Sequence, residues 1–207
     1  MGRRAQQKRA RRTVALPASA TVTPGQRRAL AEAVHAVLAD HTALRLEGLC
    51  WYYAVVGCVV ANTLVGRPRY FVQAGSLWLH PTDPPEQRWV GMDARAGGLA
   101  RREFHAWFVA PSQPVGAGRV AIDPARDEVV DLAARYYPDW ARRFGRAWER
   151  PTPPFLWCAP RELPEWLRLA ADAEATRQAQ LTQAPPALQA LVYELARAVL
   201  RRLPLAA

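Results

Sequence analysis

The first regular pattern along the chain is a helical repeat of apolar residues. Between positions 30 and 38 they recur three and four places apart, which puts them on one face of a helix. Thr23 followed by Pro24 is typical of a helix start, because threonine caps the first turn and proline suits its first position. The pattern predicts a helix from Pro24 to about Asp40.

A run without charges, from Gly48 to Gly66, follows this helix. Its length would allow it to span a bilayer, which would make the protein membrane-associated. Asn62, Thr63 and several small residues interrupt it, however, and small residues favour close packing inside a protein. We therefore expect a buried helix over about residues 50–64 and no membrane span.

Short stretches rich in β-branched and aromatic residues occupy the middle of the chain and predict strands. The strongest are residues 70–79 (YFVQAGSLWL) and 103–110 (EFHAWFVA). Weaker candidates lie near 88–92, at 119–123 and at 128–132. Polar stretches with glycine and proline separate them, as expected for loops.

The last third of the chain is predicted to be mainly helical. Residues 133–148 are expected to be helical in part, with an interruption at Pro138. Residues 151–160 are a proline-rich connector, and two helices are expected over about 164–181 and 185–203.

Strands clustered between helical ends favour an α+β domain over a doubly wound α/β fold. The pattern divides the chain into three parts. Residues 1–20 are predicted to be a basic disordered arm, and residues 21–150 a core domain. Residues 151–207 are predicted to be a C-terminal helical extension packed on that core.

The net charge of +10 is concentrated at the start of the chain, where six basic residues lie among the first twelve. Such an arm could contact nucleic acid or an acidic partner. Lys8 is the only lysine, and alanine and proline are abundant, which is typical of a GC-rich bacterial genome and weakens the link between charge and nucleic acid. We favour a solvated terminus.

The chain has three cysteines, Cys50, Cys58 and Cys158, and an odd number at irregular spacing does not indicate a disulfide framework. No secretory signal is visible, so a reducing cytoplasm is expected. The cysteines lack the paired spacing of a zinc site, and no glycine-rich phosphate loop is present. We expect neither a metal nor a cofactor.

Cys50 is predicted to lie at the N-terminus of its helix, where the helix dipole and free backbone N–H groups stabilise a thiolate. A catalytic thiolate also needs an imidazole. His105 is the best candidate, because it lies in a predicted strand among Phe104, Trp107 and Phe108, which can hold the ring and exclude water. A carboxylate must then orient that ring. Cys50 and His105 also have purely structural interpretations as core residues.

These residues resemble the transglutaminase-like proteins of the papain-like superfamily. Cysteine at the start of a buried helix (GLCWYYAVVG), then His-Ala-Trp on a strand (EFHAWFVA), then aspartate on a following strand is the order in that family. The resemblance covers roughly residues 45–140. It implies a papain-like core in which a central cysteine-bearing helix packs on an antiparallel sheet. It also implies that Cys50 is the nucleophile, His105 the general base and acid, and an aspartate the orienting group.

Two aspartates are candidates for the third position. Asp131, in EVVDLAARYYP, resembles the aspartate of small bacterial relatives, and Asp123, in VAIDPA, resembles the Asp-Pro of other transglutaminase-like domains. We favour Asp131 and keep Asp123 as the alternative. Asp131 could also simply cap the helix that follows it, and Asp123 could be a turn residue.

Three further residues are candidates for substrate binding. Trp51 and Trp107 are expected to wall the pocket, and Gln73 could reach an oxyanion from its strand. Each also has a structural interpretation: such tryptophans are more often core residues, and we favour an ordinary strand amide for Gln73.

Together these residues predict a cysteine-dependent acyl-group hydrolase or transferase of the peptidase or amidase type, acting on a peptide or amide-containing substrate. The alternative is a catalytically inactive binding or adaptor protein whose basic arm contacts nucleic acid or an acidic partner.

Overall fold

The computed structural model describes five segments of the chain, residues 21–41, 49–82, 89–94, 104–112 and 127–204. Within them the protein is α+β, with five α-helices and one antiparallel sheet of six strands. The predicted arm at 1–20, the candidate strand at 119–123 and the alternative aspartate, Asp123, lie outside the described residues.

The two N-terminal helices are confirmed. Helix α1 is Pro24–Asp40, and Thr23 caps it: its hydroxyl accepts the Gln26 N–H at 3.3 Å while its own N–H donates to the Gln26 side chain at 2.9 Å. Helix α2 is Leu49–Val65, and most of its residues are buried. Among the described residues, no helix is long and apolar enough to cross a membrane.

The sheet is built around one long strand. Its strands are β1 (Phe71–Leu79), β2 (Val90–Met92), β3 (His105–Ala110), β4 (Glu128–Asp131), β5 (Leu156–Cys158) and β6 (Leu167–Ala171). The order is β2-β1-β3-β4-β5, and β6 also pairs with β1. Strand β1 thus holds three partners, and every pairing is antiparallel.

The C-terminal third differs from the prediction. Residues 156–158 and 167–171 form β5 and β6 of the main sheet, where a proline-rich connector and the start of a helix were expected. The prediction of a connector over 151–160 and of a helix from about residue 164 is therefore wrong where these two strands form. Backbone hydrogen bonds to β1 hold β6 extended, which local sequence preference does not reveal.

The remaining helices are α3 (Tyr137–Arg143), α4 (Ala173–Leu181) and α5 (Pro186–Arg202). The expected interruption lies directly before Pro138, because a 3-10 turn, Ala134–Tyr136, ends there and the proline occupies the first turn of α3, where its missing N–H costs no hydrogen bond. Helix α5 packs on α1 and α2. Helix α3 covers a second, smaller apolar cluster that includes Leu77, Tyr137 and Leu156.

Helix α2 lies close against the sheet because Gly57 has no side chain. A Cβ at this position would approach Leu132 Cδ1 to 2.6 Å and Phe108 Cε1 to 2.9 Å, which is closer than ordinary van der Waals contact. Both neighbours are buried, so neither can move without disturbing the core.

The close contact predicts that Gly57→Ala lowers the free energy of unfolding by about 1–3 kcal/mol, the usual cost of overpacking. The gain in helix propensity, about 1 kcal/mol, offsets only part of this cost. Chemical denaturation would measure it. Gly25→Ala in α1 is the matched control, because a Cβ there meets nothing within 4 Å. Equal stabilities of the two variants would contradict the close packing of α2.

Candidate active site

Cys50 occupies the second position of α2, as predicted. Its side chain is buried, with 8% of the residue exposed, and its thiol donates a long hydrogen bond of 3.9 Å to the Phe104 carbonyl oxygen. Phe104 immediately precedes β3, so this contact brings the start of α2 to the start of that strand.

His105 is the first residue of β3 and pairs in register with Gly75 of β1. Its ring is fully buried, and Nε2 lies 2.6 Å from Asp131 Oδ2. Asp131 is the last residue of β4, and it too is almost completely buried. The structure therefore brings together the histidine and the favoured aspartate of the sequence prediction.

The Asp131 carboxylate accepts hydrogen bonds from three directions. Besides His105, the Tyr137 hydroxyl donates to Oδ2 at 2.7 Å, and the Ala133 backbone N–H donates to Oδ1 at 2.9 Å. A buried carboxylate needs such donors, because burial otherwise penalises its charge. Burial and the neighbouring Asp131 raise the pKa of Tyr137 well above its usual value, so this hydroxyl keeps its proton and stays a donor.

The two ring nitrogens of His105 have different surroundings. While Nε2 contacts Asp131, Nδ1 is buried and no other atom of the described chain meets hydrogen-bond geometry with it. Burial lowers the pKa of His105, but the Asp131 carboxylate and the nearby Cys50 thiol outweigh burial and raise it to about 10. The Cys50 thiol is thus close enough to interact with this ring.

The raised pKa links the protonation of His105 to folding. Because the pKa in the folded protein lies above the usual 6.5, protonation of the ring stabilises the fold. That contribution is complete below about pH 6.5 and is lost as the pH rises through 10. At neutral pH the ring is therefore an imidazolium, the form that stabilises a neighbouring thiolate.

Two indole rings enclose the imidazole. Trp107, fully buried two residues along β3, stacks on His105 with ring centroids 5.9 Å apart and an interplanar angle of 26°. Trp140 of α3 meets the ring edge-on, with centroids 5.0 Å apart. These rings limit the rotation of the imidazole and keep water from its faces.

The proposed substrate-binding residues are all buried. The Trp51 indole donates to the Ala179 carbonyl oxygen at 2.9 Å and so ties the first turn of α2 to α4. Gln73 of β1 pairs in register with Trp107, which places both on the same face of the sheet, next to His105. Their roles in binding substrate stay predictions.

The other two cysteines have environments that disfavour a thiolate. Burial raises the pKa of Cys58 to about 12. Burial and the nearby Glu162 raise the pKa of Cys158 to about 11, although Arg27 acts in the opposite direction. Within the part of the chain that the structure describes, no group of histidine, cysteine and acidic side chains could hold a metal ion.

Sequence reasoning missed two residues of the site, Tyr137 and Trp140. Both lie on α3, and both reach the His105–Asp131 pair only because the chain turns back immediately after β4. The sequence did contain a signal, since the run AARYYP follows Asp131 directly, but the spacing alone does not distinguish Tyr136 from Tyr137 as the donor.

Comparison with known proteins found similarity to a solved structure, at the level of the fold. No protein-family model matches the chain, and no curated protein matches it. A crystal structure of a protein described only as a genomics target superimposes with a TM-score of 0.52 over 90% of this chain and 82% of that chain, at 11% sequence identity. At this identity the similarity shows the fold alone.

The contact between His105 and Asp131 predicts how the pKa of His105 changes when the Asp131 carboxylate is removed. In Asp131→Asn the burial of the ring persists while the opposing charge is lost, so the pKa of His105 should fall from about 10 to below 6.5. NMR titration of the imidazole resonances would measure the change. His35, whose bonded partner is Tyr53, is the internal control and should titrate unchanged. A His105 pKa that stays raised in the variant would contradict this assignment.

Proposed function

We propose that the chain is a cysteine-dependent acyl-group hydrolase or transferase built on a transglutaminase-like, papain-like scaffold. The observation that carries the proposal is the buried 2.6 Å hydrogen bond between His105 Nε2 and Asp131. It uses one ring nitrogen of His105 and leaves Nδ1 for the thiol of Cys50, whose proximity raises the pKa of the same ring.

In the first step, the Cys50 thiolate attacks the carbonyl carbon of an amide or ester. A carbon–sulfur bond forms, and the carbonyl electron pair moves to oxygen, which backbone N–H groups at the start of α2 can stabilise. The tetrahedral intermediate collapses as His105 donates its proton to the leaving amine or alkoxide, which yields a thioester on Cys50.

In the second step, water or an amine attacks the thioester. His105, now neutral, takes the proton of the attacking group, and the carbon–sulfur bond breaks to release acid or a new amide. Asp131 stays ionised throughout and orients the ring, as expected of a carboxylate held by Tyr137 and Ala133.

The fold supports the proposal at a coarser level. An α+β domain in which a buried helix packs on an antiparallel sheet is the arrangement that the transglutaminase-like resemblance implies. The described residues of the motif segments GLCWYYAVVG, EFHAWFVA and EVVDLAARYYP lie on α2, at β3, and on β4 with the turn that follows. We assign Asp131 rather than Asp123 because its carboxylate contacts His105.

The first prediction of the proposal concerns thiol reactivity. At pH 7, iodoacetamide should label Cys50 faster than Cys58 and Cys158, whose raised pKa values of about 12 and 11 keep them as thiols. Peptide mass spectrometry would give the three rates. His105→Gln should slow labelling of Cys50, while the rates at the other two cysteines stay unchanged. Labelling of Cys50 at or below their rate would refute the activated thiol.

A second prediction concerns the covalent intermediate. Incubation with activated esters of acylated amino acids should add one acyl group to the protein, at Cys50, and hydroxylamine should remove it. Intact mass spectrometry would detect the adduct. Cys50→Ala should lose it, and Cys158→Ala, a change at a half-buried cysteine, should keep it. An adduct that persists in Cys50→Ala would assign the acylation to another residue and count against the proposal.

The alternative, an inactive scaffold with a basic arm, becomes the better explanation if Cys50 is neither labelled nor acylated. It would predict duplex DNA binding at low salt that weakens steeply with added salt and is lost on deletion of residues 1–12. The arm itself lies outside the described residues.

A further inference from the structure

A second polar cluster joins α1, α2 and the turn before α3. His35 Nδ1 and the Tyr53 hydroxyl are 2.6 Å apart, and the Tyr53 hydroxyl lies 3.3 Å from that of Tyr136. The His35 and Tyr53 rings stack with centroids 6.3 Å apart. Tyr53 is fully buried, whereas His35 and Tyr136 are half-buried, so the cluster runs from the surface into the core.

This cluster borders the candidate active site on two sides. Tyr53 follows Cys50 by three residues on α2, so the two share a helix face with Cβ atoms about 5–6 Å apart. Helical side chains also lean toward the N-terminus, which directs the Tyr53 ring toward the turn that holds Cys50. On the other side, Tyr136 directly precedes Tyr137, the donor to Asp131.

The cluster carries an excess of hydrogen-bond donors. Arg135 lies beside it, and its Nε donates to the Pro154 carbonyl oxygen at 3.3 Å, which leaves most of its N–H groups for another acceptor. Burial, and then the charge of Arg135, lower the pKa of His35, so its ring is neutral at pH 7. If Nδ1 accepts the hydrogen bond from the Tyr53 hydroxyl, the Tyr136 hydroxyl donates to Tyr53, and His35 Nε2–H is the one donor that this chain of hydrogen bonds leaves free.

No acceptor in the described chain balances these donors. Within that part of the chain, no hydrogen bond joins His35, Tyr53 or Tyr136 to a carboxylate, and Arg135 makes no ion pair. Burial and Tyr136 raise the pKa of Tyr53 well above its usual value, although Arg135 acts in the opposite direction, so Tyr53 stays a neutral phenol. A guanidinium and a neighbouring imidazole N–H that lack an anion are suited to bind one.

We propose that Arg135 and His35 form a subsite for a carboxylate beside Cys50, and that the substrate is an acyl compound with a carboxylate a few bonds from the reacting carbonyl. Acidic amino-acid derivatives have this chemistry. The inference rests on the proposed function for its acyl chemistry. The subsite itself rests on the cluster geometry. Here Tyr53 acts as a positioning residue, because it holds His35 and Tyr136 and is itself buried.

A matched pair of thiol reagents tests the subsite. Maleimidopropionate and maleimidopropionamide differ only in the charge of one end, and the ratio of their rates at Cys50 measures preference for a carboxylate. The ratio should fall by about tenfold in Arg135→Gln, the usual effect of losing one charge-assisted hydrogen bond, and Arg135→Lys should retain much of it. Arg143→Gln, an exposed arginine on α3, controls for net charge and should keep the wild-type ratio.

An unchanged ratio in Arg135→Gln, or an equal fall in Arg143→Gln, would overturn the subsite even if Cys50 is reactive. If neither maleimide labels Cys50, the proposed function fails, and the carboxylate subsite is then tested by a binding measurement that does not involve Cys50. N-acetylglutamate, but not N-acetylglutamine, should then shift the His35 ring resonances in the wild-type protein and not in Arg135→Gln. Absence of that shift in the wild type would refute carboxylate binding.

Discussion

The hydrogen bond between His105 and Asp131 is the interaction on which the rest of the arrangement depends. Both side chains are withdrawn from water, and each requires the other: loss of one partner of such a buried pair costs about 3–5 kcal/mol. The bond also joins the first residue of β3 to the last residue of β4. The Cys50 thiol lies at this same end of β3, where it bonds to Phe104. Stability and the proposed chemistry therefore depend on the same two residues.

The segment after β4 completes this interaction. The chain turns immediately after Asp131, so Ala133 and Tyr137, which follow it closely in sequence, can donate hydrogen bonds to its carboxylate. Trp140 follows three residues after Tyr137 and packs on the imidazole of His105. Such local donors cost little additional ordering, because the turn is already fixed by its apolar contacts with the sheet. The ring is thus already oriented in the free protein, as the proposed catalysis would require.

The sequence allowed prediction of elements whose signals are local. Helix α2 follows from its uncharged apolar run, and β3 from its aromatic run, so the positions of Cys50 and His105 within their elements were predictable. Strand β6 was not, because LRLAA has no strong strand preference and only pairing with β1 keeps it extended. Tyr137 was missed for the same reason, since its contact with Asp131 depends on a tertiary turn and not on residue type.

Because β1 pairs with three other strands, the sheet can be completed only in a certain order as the chain is synthesised. Its partner β3 comes soon after it, but β6 is made almost ninety residues later, and α5, which packs against both N-terminal helices, is later still. During synthesis the part of β1 that pairs with β6 stays unpaired until residue 171 is made, and α1 and α2 lack their cover until position 202 has left the ribosome. The thiol of Cys50 can therefore meet β3 well before the helix that carries it is covered by α5.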